Sequence, residues 1–66
     1  MQIVVNGELQ DAPEGATLAD LVARLRLHGQ RVAIERNGEI VPRSAWAAEP
    51  LRAADRVEIV RAIGGG

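Results

Sequence analysis

The sequence predicts a small α+β domain in which one helix lies across one face of a mixed sheet. Three observations carry this expectation. Two runs of alternating apolar residues are each broken by Asn-Gly, at positions 6–7 and 37–38. Between them lies one amphipathic stretch with a marked start and a single apolar stripe. A last alternating run, separated by an irregular crossing, reaches the end of the chain.

QIVVNGELQD reads as two short strands joined by Asn6-Gly7. A type I′ turn needs positive φ at both central residues, which Asn and Gly tolerate best. Met1, Ile3 and Val5 share one face by period two, and Gln2 and Val4 share the other. Leu9 is expected to continue the buried side on the return strand.

APEGATLADLVARLRLHG reads as a helix with both ends marked. Thr17 is the N-cap, and Asp20 is a short version of the capping-box acid. Leu18, Leu21, Val22 and Leu25 form the stripe, with Arg24 off it. Gly29 suits the left-handed position after a helix end.

RVAIERNGEIVPRSAW repeats the first theme: a strand at 32–36, a turn at Asn37-Gly38 and a short strand at 39–41. Pro42 cannot donate to a ladder and ends that strand. Ser44 could cap one turn holding Trp46, with Pro50 closing it. In the last strand Val57 and Ile59 point inward, and Glu58 and Val60 point outward. The long final connection suits a strand that returns to the sheet centre, parallel to the first. That is the plan of a ubiquitin-like β-grasp, with residues 1–63 as the domain and 64–66 as a flexible glycine tail.

Sixty-six residues make one domain, without a cysteine and with one histidine, so neither disulfides nor a metal can staple it. Eleven of the apolar residues are alanine. The larger ones can fill one core but cannot also wall an enclosed small-molecule site, which takes roughly 300–1,000 Å³. An enzyme with its own closed active site is not expected. Eight arginines stand against nine acidic residues, scattered and without interleaved aromatics, which argues against a nucleic-acid face. Apolar runs are too short to span a membrane, and the start lacks the pattern of a signal peptide. A soluble cytoplasmic protein follows, expected to be monomeric when free.

Few side chains suggest chemistry. His28 stands alone at the helix end, where a cation suits the dipole. Glu8 with Asp11, or Glu35 with Glu39, are ordinary solvated charges of hairpin strands. Trp46 reads as a lid over the core, with a partner anchor as the lesser reading. Catalytic, cofactor-binding and metal-binding residues are therefore expected to be absent.

The terminal Gly64–Gly66 differ because a core strand precedes them. Backbone without Cβ atoms passes through narrow channels. From Ala62 an extended tail reaches about 16 Å, enough to thread a partner's active-site channel. Val4 and Val60, on the face away from the helix, are the candidates for docking that partner.

MQIVVNGE, RNGEIVPRSAW and DRVEIVRAIGGG, with the capped helix between, make the chain resemble the bacterial ThiS family, sulfur carriers of thiamin biosynthesis. The resemblance spans essentially the whole chain, and NGEIVPRSAW and the Gly-Gly end are its specific parts. It implies a β-grasp fold and a Gly66 carboxylate adenylated with ATP by a ubiquitin-activating-like enzyme. Gly66 then becomes a thiocarboxylate through a sulfur-transfer enzyme and donates sulfur to thiazole synthase. ATP belongs to the partner; the carrier binds no cofactor. Another sulfur carrier, of the molybdopterin synthase small-subunit type, or a plain ubiquitin-like binding module would share the fold. The family usually has Gly-Asp before the last strand, where this chain has Ala54-Asp55.

Overall fold

The computed structural model describes residues 1–27 and 29–61. Strands β1 (Gln2–Val5) and β2 (Glu8–Asp11) form an antiparallel hairpin. Asn6 and Gly7 hold φ of 50° and 82°, the left-handed pair that a type I′ turn requires. Strands β3 (Val32–Arg36) and β4 (Glu39–Val41) form a second hairpin, with Asn37 and Gly38 at 52° and 87°. The last strand, β5 (Arg56–Arg61), runs parallel to β1 and antiparallel to β3, giving the order β2-β1-β5-β3-β4. Both hairpins and the central, returning strand agree with the expected β-grasp.

Helix α1 (Leu18–Arg24) starts where expected. The Asp20 N–H donates to Thr17 Oγ1 at 3.1 Å, and the Thr17 N–H donates to Asp20 Oδ2 at 2.9 Å. These reciprocal bonds satisfy N–H groups that the first turn leaves without helical partners. The helix ends earlier than Gly29. Arg26 takes the left-handed position at φ 60°, its N–H donates to Ala23 C=O, and the Leu27 N–H donates to Val22 C=O. This Schellman pattern folds Leu27 back against the core, a gain that outweighs the strain of a non-glycine residue at positive φ. Gly29 also has positive φ, in the turn beyond. His28 lies outside the described residues.

The core forms between α1 and one sheet face. Leu18, Ile34 and Val57 are fully enclosed, with Ile3, Val5, Leu21 and Val22 around them. Each such side chain contributes about 1.5–3 kcal/mol by leaving water. Trp46, from the 3-10 helix Arg43–Ala48, closes one end of this core. It is buried, its Nε1–H donates to Val41 C=O at 2.9 Å, and Arg43 stacks over its ring. Trp46 is thus a core residue and no surface anchor.

Two further expectations are corrected. Ser44 caps nothing: Pro42 is the N-cap, and Ser44 lies exposed inside the 3-10 helix. The fixed φ of Pro42, −64°, starts the turn without help from a side chain. Leu9 is not buried but 69% exposed. The two-residue turn pairs Val5 with Glu8 and Val4 with Leu9. Cross-strand partners share a face, so Leu9 goes with Val4 and away from the helix.

The crossing to β5 is pinned to the start of α1. Leu18 N–H donates to Glu49 C=O and Leu51 N–H to Ala16 C=O. Arg36 pairs with the Glu49 carboxylate and donates to Pro50 C=O. A long, irregular connection thereby keeps a fixed course to the sheet centre.

Candidate functional site

The site is built on β5, because this strand leads to the glycine end. Its inward residue Val57 is fully buried, and Ile59 packs against the core. Arg36, Glu35, Ile34, Ala33 and Val32 pair in turn with residues 57 to 61. On the other side, β1 pairs only Val4 with Arg56 and Val5 with Val57. The strand is therefore a rigid base, paired longer on its β3 side than on its β1 side.

The turn into β5 is held by a buried carboxylate. Asp55, 6% exposed, accepts from the Arg52 N–H at 2.9 Å and from Asn37 Nδ2 at 3.1 Å. Ala54 adopts φ 70° before it. The left-handed turn suited to Gly-Asp is thus kept with Ala-Asp, at the strain of a Cβ in that region.

The face opposite the helix has no covering element among the described residues. Val60 is 58% exposed there, while Val4 is half-buried on the same face. The two do not meet. Val4 lies level with Arg56, so Val60 is four residues further along, about 13 Å at ~3.3 Å per residue. The neighbour of Val60 across the ladder is Ala33. Two larger apolar side chains join this face: Leu9 opposite Val4, and Ile40 opposite Glu35, 69% and 73% exposed. Neither was singled out from the sequence as a docking residue. Counting outward from each Asn-Gly turn, with partners on a common face, would have found both. Between them Glu35 and Glu58 stand directly opposite one another, with exposed Arg56 two residues from Glu58 on the same face, so charged side chains separate the apolar ones.

Gly64, Gly65 and Gly66 lie outside the described residues, as does the proposed boundary at 63–64. Among the described residues no group of three or more His, Cys, Asp and Glu is placed to hold a metal ion. No helix among them is long and apolar enough to cross a membrane. Among the described residues, one surface concavity of about 340 Å³ is lined by Asn37, Gly38, Ala54 and Arg56.

A five-stranded mixed sheet with one capped helix on a single face, and a central last strand running toward a glycine end, defines a ubiquitin-like β-grasp protein. The ThiS family model matches residues 3–66, and the chain belongs to the ThiS family. It is 30% identical to the sulfur carrier protein ThiS of Escherichia coli over the full length of both. The crystal structure of thiamine biosynthesis protein ThiS from Geobacter metallireducens matches with a TM-score of 0.85 and 30% identity, covering both chains completely. A thiazole synthase of Paramagnetospirillum magneticum is 41% identical over all 66 residues, and the chain spans 20% of that protein's length. A thiazole synthase of Magnetococcus marinus is matched to the same extent.

Proposed function

We infer that this chain is a sulfur carrier of thiamin biosynthesis, acting through the carboxylate of Gly66. The observation that carries the reading is the position of β5: a central strand, hydrogen-bonded on both sides, that leads within a few residues into the Gly64–Gly66 run. Membership of the ThiS family supports it, as does the likeness to a sulfur carrier over full length.

A carboxylate is a poor electrophile, so it must be activated before sulfur can replace its oxygen. An ATP-dependent enzyme of the ubiquitin-activating type joins a Gly66 carboxylate oxygen to the α-phosphorus, and pyrophosphate leaves. Hydrosulfide released by a sulfur-transfer enzyme then attacks the acyl carbon, the bond to the AMP oxygen breaks, and AMP leaves a thiocarboxylate behind. Covalent activation splits one difficult substitution into two easier ones. The carrier provides no catalytic group; it is a co-substrate whose Gly64 and Gly65 admit the end to a narrow channel. Thiazole synthase receives the sulfur for the thiazole ring. The likeness to two thiazole synthases favours this destination over a molybdopterin synthase role.

The open sheet face is the docking surface in this reading, with Val60 and Val4 as its first candidates and Leu9 and Ile40 beside them. Val4 and Leu9 face one another across β1 and β2, and an apolar pair on an uncovered sheet face suits a partner contact. Intact mass after coexpression with the activating and sulfur-transfer enzymes tests the whole reading. The expected result is the exchange of one oxygen for sulfur at Gly66. A chain that never changes mass overturns it.

A further inference from the structure

The two hairpin turns hold β5 by the same device. On the β3 side, the Asn37 N–H donates to Arg56 C=O at 2.8 Å, and its Oδ1 accepts from the Arg56 N–H at 2.9 Å. On the β1 side, the Asn6 N–H donates to Val57 C=O at 2.9 Å, and its Oδ1 accepts from the Ile59 N–H at 2.7 Å. The second case has a particular consequence. Backbone pairing of β1 with β5 ends at Val5 opposite Val57, because the chain turns away through Gly7. The next rung of the parallel ladder calls for a carbonyl where β1 no longer runs. The Asn6 carboxamide supplies that oxygen.

Ile59 is thereby the last β5 residue, among those described, with a hydrogen bond on the β1 side. Val60 and Arg61 pair with β3 alone. We propose that Asn6 is a positioning residue for the Gly66 end: its carboxamide orders β5 as far as Ile59, so that the residues beyond start from a fixed base. This role rests on the carrier reading above.

The expected effect lies in docking, not in chemistry. Fixing the backbone of one residue opposes an equilibrium by a factor of roughly 5–30. A strand loosened at Ile59 must be ordered again each time its end is threaded into a partner. That loss raises KM and leaves kcat in place, since nothing at the reacting carboxylate has changed. β3 still holds the other side, so only part of that ordering is lost and the rise should fall at or just below the lower end, roughly threefold to tenfold.

The turn restricts which substitutions are informative. At φ 50° Gly, Asn and Asp are tolerated, whereas Ala would strain the hairpin itself. Asn6→Gly keeps the turn and removes the acceptor; Asn6→Asp keeps both. With full-length chains, amide exchange at Ile59 and steady-state pyrophosphate release by the activating enzyme are measured at temperatures where all variants are folded. Expected for Asn6→Gly are faster exchange at Ile59 and the threefold to tenfold rise in KM at constant kcat, with both restored in Asn6→Asp. A KM for Asn6→Gly within about twofold of wild type, or a loss confined to kcat, overturns the role while leaving the carrier reading intact. Unchanged exchange at Ile59 also overturns it. A wild-type chain that the enzyme never activates overturns the carrier reading and this role together.

Discussion

Ala54 holds a φ of 70° while its N–H donates to the Gln2 carbonyl at 2.8 Å, tying the turn before β5 to the start of β1. The bond fixes the conformation, and the methyl group strains it. A left-handed non-glycine residue costs roughly 1–2 kcal/mol, part of which glycine returns as greater freedom in the unfolded chain. Ala54→Gly should therefore stabilise the protein by about 1 kcal/mol, or roughly 4–8 °C in Tm. Thermal unfolding checks this. A Tm equal to or below wild type would show that the turn relieves its strain in another way.

The Asn37–Asp55 contact gives a prediction of opposite sign. Asn37 Nδ2 donates to Asp55 Oδ1 at 3.1 Å, and Asp55 is almost fully buried. Asn37→Asp retains the left-handed turn and the Oδ1 acceptor for Arg56, but it replaces the donor by a second carboxylate. A buried acceptor left unsatisfied costs about 1–3 kcal/mol, and like charge adds to this. Urea unfolding at neutral pH should show a loss in that range. Stability within ~0.5 kcal/mol of wild type, the range of ordinary surface changes, would mean that Asp55 finds another partner.

Much of this was legible in the sequence, for reasons that differ by residue. Asn-Gly demands a particular turn, so both hairpins and their length follow from two letters each. Thr17 and Asp20 announce the helix start because the capping bonds are local in sequence. Leu9 was misplaced because alternation was continued through the turn without counting the pairing it enforces. The helix end was misplaced because glycine is only the commonest left-handed residue; Arg26 takes that role where burial of Leu27 drives it. The second duty of Asn6 and Asn37, holding β5 through their side chains, depends on contacts between residues up to 53 positions apart. No local pattern encodes that.

The docking face offers a separable test. Val60 is 58% exposed and packs against no helix, so Val60→Asp should leave the fold intact, at a cost below the ~1 kcal/mol span of strand propensities. It replaces an apolar side chain by a carboxylate opposite Ala33 and next to the Glu35–Glu58 pair. Activation by the ATP-dependent enzyme should weaken, with KM rising more than kcat falls. Leu9→Asp probes the far edge of the same face. Unchanged kinetics for a folded Val60→Asp would remove this strand from the docking surface.

The carrier reading itself is tested by the length of the tail. Deleting Gly66 draws the carboxylate inward by one residue, about 3.3–3.6 Å. Reacting atoms must come within roughly 3–3.5 Å for a near-attack geometry, so the shortened end should miss the activating centre. An alanine added after Gly66 should fail as well, because it moves the carboxylate outward and adds a Cβ. Gly65→Ala should react poorly, since a methyl group enters a channel sized for backbone. None of these changes reaches the core, so unfolding free energies should stay within about 0.5 kcal/mol of wild type. The measurement is intact mass after coexpression with the activating and sulfur-transfer enzymes, scored as sulfur replacing oxygen. Wild type should gain it, and the shortened and extended chains should not. Equal gain in all of them would show that the position of the carboxylate does not matter, which no threaded carrier can tolerate.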